Sequence, residues 1–186
     1  GYDNVIHIGT NGKMSEVAAA MGLTSLESIG EFITTNQQNY ELYQEEIARV
    51  PGVQLMAYDE SETCNYQYIV LEVDRLKTKI SRDDMIKVLW AENVIARRYF
   101  YPGCHRMEPY RSYFPQAGLL ETTEAVCERV LLLPNGTAVD QDQIRAICQI
   151  IRFAIENAAE VVARLPHVQS PTTRAGTAAS AIAEMA

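Results

Sequence analysis

From Met14 to Ile47 the apolar side chains recur at steps of three and four residues. Met14, Val17 and Met21 are followed by Leu26, Ile29 and Ile33, then by Tyr40, Tyr43 and Ile47. Glu16, Glu27, Glu31, Gln37 and Glu41 fill the other face, so the spacing predicts a long helix over 13–50. Pro51-Gly52 stops it, and Gly22 and Gly30 weaken it where a kink is expected. Such an element at one end of a chain constrains the rest: the helix is a strut that joins a small domain to something else.

The remainder reads as that small domain. Val53–Tyr58 and Tyr66–Val73 are strand-like, with an acidic turn between them. Ser81 caps a helix from about Arg82 to Glu92, and Asp83 and Asp84 suit its amino-terminal dipole. Asn93 terminates that helix, and Val94–Tyr99 reads as a third strand. Glycine, proline and aromatics then dominate 100–118, a stretch too long and too aromatic for an idle connector. Thr122 or Thr123 is expected to cap a short helix through Arg129. Val130–Leu133 runs into the strong turn Pro134-Asn135-Gly136, and Asp140 caps a last helix with Ile144, Ile147, Ile151, Ile155 and Val162 on one face. This order predicts an α/β fold: helices against one face of a short, mainly antiparallel sheet.

A chain of 186 residues that is 47% hydrophobic holds a real core. Its net charge of −8 argues against non-specific binding to nucleic acid. No apolar run approaches the roughly 20 residues that span a bilayer. The opening GYDNVIHIG has neither the basic nor the apolar region of a signal peptide. Of the four cysteines, no two sit at Cys-x-x-Cys spacing, so they read as free thiols in a reducing cytoplasm and no metal is expected. Cys104 beside His105 is a poor nucleophile pair, because adjacent residues rarely orient for the proton transfer.

Gly9-Thr10-Asn11-Gly12-Lys13-Met14 stands between a short extended run and the long helix. Backbone amides at a helix start together with a lysine make an anion site. It is not a Walker A loop, which needs four residues before Gly-Lys and a Ser or Thr after it. From spacing alone, a bare helix-entry turn is the better reading.

Three stretches in order shift the weight. Gly9–Met14 followed by Ser15-Glu16-Val17 and an alanine-rich run to Gly22-Leu23 is similar to the signature that follows the cofactor lysine in the DegT/DnrJ/StrS sugar aminotransferases. Tyr99-Phe100-Tyr101-Pro102-Gly103-Cys104-His105 with Pro109-Tyr110-Arg111 resembles that family's aromatic Pro-x-x-His loop. Glu128–Pro134, a helix running into Leu-Leu-Leu-Pro before a final helix, resembles the family's third stretch. The likeness covers about residues 1–160.

The resemblance implies the carboxy-terminal part of a type I pyridoxal-phosphate-dependent transferase. On it, 1–12 end a larger domain and carry the cofactor-phosphate loop, 13–50 are an interdomain helix, 51–165 are the small domain, and 166–186 are a mobile tail. It implies a cytoplasmic homodimer with shared active sites that moves an amino group, from glutamate, to a keto-sugar nucleotide. Asn11 matches the asparagine that reaches across the dimer to the cofactor phosphate, a role a side-chain amide suits. Lys13 matches a basic position beside it. His105 matches the loop histidine near the sugar-nucleotide site, with Tyr99 and Tyr101 as hydroxyls lining the sugar pocket. Arg98 and Arg106 are candidates to pair with the nucleotide diphosphate, and His7 and His167 carry no assignment.

The chain also departs from the family, whose members are about twice as long and carry the cofactor-binding lysine upstream of this region. Lys13, Lys77, Lys79 and Lys87 are the four lysines here, and no sequence context marks any of them as catalytic. No catalytic residue is therefore assigned to this chain; the amino-terminal half is expected to bring it. Two other readings stay open: a non-catalytic dimerisation or regulatory module, and a sugar-nucleotide dehydratase of the same family.

Overall fold

In the computed structural model of the protein, the described residues are 12–59, 61–99, 101–108, 110–113 and 120–165. Gly9, Thr10, Asn11 and the expected tail 166–186 lie outside them.

The stretch read as one helix is two. Helix α1 runs Glu16–Glu27 and α2 runs Ile29–Ile47. Ser15 caps α1 by accepting from Ala18 N. The break is at Ser28, whose N–H turns back to Leu26 O and Ser25 O. Thr24, Ser25 and Thr34 hydroxyls all donate to carbonyls four residues back, which competes with the helix ladder and bends it. No residue of α1 is buried, whereas α2 buries Asn39, Tyr40, Tyr43 and Ile47 against the rest of the fold.

The sheet has four strands: β1 (Val53–Leu55), β2 (Ile69–Val73), β3 (Arg97–Arg98) and β4 (Val130–Leu133). Their order is β1-β2-β4-β3 and every pairing is antiparallel. β4, which pattern reading did not count as a strand, is central. Its pairing with β2 runs from Ile69 opposite Leu133 to Glu72 opposite Val130. That register puts Ile69, Leu71, Leu131 and Leu133 on one face, where all four are buried.

Between β2 and β3 lie α3 (Arg75–Thr78) and α4 (Arg82–Ala91); after β3 come α5 (Tyr110–Tyr113) and α6 (Glu121–Cys127). Ser81 caps α4 as expected, accepting from Asp84 N. The short α6 begins earlier than expected: Leu120 holds its cap position, and neither Thr122 nor Thr123 does. Helices α7 (Gln141–Glu156) and α8 (Ala158–Arg164) end the described chain. Asp140 and Gln143 close a capping box at the start of α7. Ile144, Ile147, Cys148, Ile151 and Ala154 are its buried stripe, packed with Tyr43 of α2 and Met85, Ile86 and Leu89 of α4 over the sheet. Ile155 and Val162 lie at the margin of that core.

Two polar ties fix α2 to the sheet. Buried Tyr43 donates its hydroxyl to Pro134 O, and burial pushes its ionisation far above the ordinary tyrosine value. Buried Asn39 donates to Asn135 Oδ1 and Gly136 O, while Asn135 donates to Tyr66 O. The Pro134-Asn135-Gly136 turn is thereby a junction of α2, β4 and the entry to β2.

Candidate functional site

The aromatic loop leaves β3 and is held at two points. The first is Tyr101. The guanidinium carbon of Arg82 lies 4.9 Å from the centre of its ring and that of Arg98 lies 5.1 Å away. Arg82 is buried at the first turn of α4, where its Nη1 donates to Cys127 O at 2.7 Å and Val130 O at 2.8 Å. Both arginines donate through Nε to the same oxygen of Asp83, at 2.6 and 3.0 Å. The carboxylate neutralises two cations that would otherwise repel each other beside the ring.

The second point is the 3-10 turn Cys104–Arg106, which docks on α6. Oε1 of Glu124 accepts from Arg106 Nε and Nη2 at 2.9 and 2.5 Å and meets His105 Nε2 at 3.1 Å. The Arg106 guanidinium, and after it His105, hold the Glu124 carboxyl below the usual carboxylate range. An ionised Glu124 is acceptor-only, so Nε2 of His105 carries the hydrogen. Gly103 makes the turn possible with φ +86°, and a Cβ there would meet His105 Cε1 at 3.1 Å.

Of the residues singled out from sequence, Tyr99 and Tyr101 leave β3 together with different neighbours. Tyr99 is half-buried with its ring 5.7 Å from that of Tyr68. Tyr101 is 40% exposed, so part of it faces outward while the arginines flank it. The His105 side chain is only 9% exposed and is locked inside the turn. Arg98 and Arg106 both have carboxylate partners, Asp83 and Glu124. Lys13 is exposed just ahead of α1. Two clefts of about 660 and 560 Å³ flank α7, and none of Lys13, Tyr99, Tyr101 or His105 lines either one. Sequence reasoning missed Asp83, Arg82 and Glu124 as partners of the loop. Asp83 and Glu124 read as ordinary first-turn acids, and only the fold brings them to residues fifteen or more positions away.

The lysines test how pyridoxal phosphate would fit. Lys77 pairs with Asp74 at 3.3 Å, Lys87 with Asp84 at 2.7 Å, and Lys79 Nζ donates to Leu76 O at 2.6 Å. None of these sits free in an apolar recess, the setting that makes a lysine nucleophilic. Lys13 is exposed, so among the described residues no lysine occupies such a recess. Among the described residues no cluster of three or more His, Cys, Asp or Glu could hold a metal ion, and no helix is long and apolar enough to cross a membrane. Cys127 and Cys148 are buried, and burial pushes the Cys148 thiol up to about 12.

Residues 2–152 match the DegT/DnrJ/EryC1/StrS aminotransferase family. A dTDP-4-amino-4,6-dideoxy-D-glucose transaminase of Shigella dysenteriae is 30% identical over 149 residues, which are 80% of this chain and 40% of that protein. Its Escherichia coli namesake is 30% identical over 77% of this chain and 38% of its own length. A crystal structure of DesI in the presence of its TDP-sugar product superposes with a TM-score of 0.78 and 45% identity, over 84% of this chain and 39% of that one. The chain thus spans about 40% of the length of the curated relatives it matches. With its helix-flanked antiparallel sheet and its match from residue 2 to residue 152, the chain belongs to the DegT/DnrJ/EryC1/StrS aminotransferase family.

Proposed function

We propose that this chain is the carboxy-terminal part of a pyridoxal-phosphate-dependent enzyme that transfers an amino group, drawn from glutamate, to a keto-sugar nucleotide. The observation that carries this reading is the aromatic loop: two tyrosines and a histidine, anchored at both Tyr101 and His105, on a fold that matches DesI with its TDP-sugar product at 45% identity.

When bound, pyridoxal phosphate supplies the electron sink that protein side chains lack. The work of this chain is to bind and orient. The Asn11 amide donates to the cofactor phosphate of a partner subunit, and Lys13 adds a positive charge beside it. Tyr99 and Tyr101 offer hydroxyls to the sugar, with Tyr101 held at a fixed angle by its arginines. His105 works from inside the loop, keeping its shape through Glu124. Fixing these groups before substrate arrives lowers the ordering cost of binding. The site is completed by an amino-terminal half that brings the catalytic lysine, and by a second subunit.

Two measurements test this. The intact enzyme is expected to transfer the amino group of glutamate to a dTDP-linked keto-sugar, and Asn11→Ala to weaken its cofactor binding about tenfold, the loss of one good hydrogen bond. The isolated chain is expected to bind cofactor weakly and to give no transfer. Cofactor absorbance with the chain alone, abolished by replacing one of its lysines, sinks the division of labour. An Asn11→Ala enzyme with unaltered cofactor affinity favours a non-catalytic role for this segment.

A further inference from the structure

Asp83 takes no part in capping α4. Ser81 caps α4, and Asp84 takes both the Ser81 hydroxyl and Lys87. Asp83 instead turns its Oδ1 to two arginines from different places: Arg82 beside it and Arg98 on the edge strand β3.

The two arginines differ in how firmly they are held. Arg82 is buried and has three acceptors, so it stays put without help from the loop. Arg98 is 43% exposed, and among the described residues its one charged partner is Asp83. Remove that carboxylate and Arg98 regains the rotamer freedom of a long surface side chain, while two like charges are left facing one ring. The Tyr101 ring rests against both guanidiniums, so its angle depends on where Arg98 stands.

We propose that Asp83 is a positioning residue for substrate: it fixes Arg98 against Tyr101, and so sets the face that the loop presents to the sugar nucleotide. This rests on the proposed function, in which Tyr101 contacts that substrate. Asp83 itself touches neither substrate nor cofactor. Its removal is expected to weaken sugar-nucleotide binding and to leave the glutamate half of the reaction alone.

The experiment compares the intact enzyme with Asp83→Asn and Asp83→Glu, with Asp142→Asn on α7 as a distant control. Asp83→Asn should raise KM for the keto-sugar nucleotide about tenfold with kcat changed less than about twofold, since uniform binding is what is lost. Single-turnover reaction with glutamate alone should match wild type, and Asp83→Glu, which keeps the charge, should recover most of the KM. An unchanged KM in Asp83→Asn overturns the proposal. So does a fall in every rate together with the thermal midpoint, the pattern of a plain structural tie. Hydrogen exchange decides the matter even for an enzyme that fails to aminate keto-sugars, a result that rejects the functional reading by itself. The Nε–H of Arg98, bonded to Asp83 Oδ1, should exchange about tenfold faster in Asp83→Asn. Equal exchange in the two proteins rejects the clamp on its own.

Discussion

At the scale of single residues, Gly103 is the tightest point of the loop. Its φ of +86° favours glycine, and the His105 ring occupies the space a side chain would need. Gly103→Ala therefore strains the backbone and pushes His105 off Glu124, at a cost of about 1–3 kcal/mol. A lower thermal midpoint with faster exchange of the Arg106 amide is the expected outcome; a midpoint equal to wild type would mean that the turn relaxes freely. Some of this was legible beforehand. Asn93 was read as a helix terminator, and it has φ +60° just past α4. Tyr101 and His105 were singled out by their motif. Their partners were not, because Asp83 and Glu124 carry no local mark that distinguishes them from any acid in a first helical turn.

At the scale of elements, the loop hangs on α6 through one carboxylate. The folded Glu124 carboxyl titrates lower than it would in an unfolded chain, through Arg106 first and His105 second. A depressed carboxylate stabilises above its unfolded pKa, about 4.3, and that contribution is lost as pH falls through the lower folded value. Protection of the Arg106 and Met107 amides, corrected for intrinsic exchange, is expected to hold near pH 6 and to fall in the acid range. In Glu124→Gln it should be weak already at neutral pH and nearly flat with pH. A wild-type acid loss reproduced unchanged in the variant would exclude Glu124 as its source. The same loop shows why strand ends were misread. Val94–Tyr99 looks like a full strand, yet only Arg97–Arg98 pairs. Val94 N is captured by Leu89 O and Ala96 N by Val94 O, while Trp90 Nε1 takes Ala96 O. Those backbone groups are spent in a turn after α4, so β-branched composition there does not produce a ladder.

At the scale of the whole molecule, α1 stands apart. Met14, Val17, Met21, Leu23 and Leu26 are 60–74% exposed, and no residue of α1 is buried. Val17 and Met21 lie on one side of α1 and Leu23 and Leu26 on the other, and apolar surface exposed this densely marks a contact surface. Replacing Met14, Val17 and Met21 with serine should change the stability of the described fold by less than about 0.5 kcal/mol, as for surface positions. The same change should reduce any self-association of the chain in sedimentation experiments. A midpoint several degrees lower would show that α1 is part of the core after all.

The sequence by itself determined where α4 and α7 begin, because caps and stripes are local: Ser81, Asp140 and the isoleucines of α7 act within a few residues of each other. It also carried the family, through three stretches in a set order that the match over residues 2–152 bears out. Only the tertiary structure decided that β4 is central, that the strut breaks at Ser28, and that Asp83 and Glu124 hold the aromatic loop. A strand of four apolar residues has no period to distinguish it from a buried turn of helix until its neighbours pair with it. A charge becomes a positioning group only when the chain folds another charge onto it, and sequence distance says nothing about that.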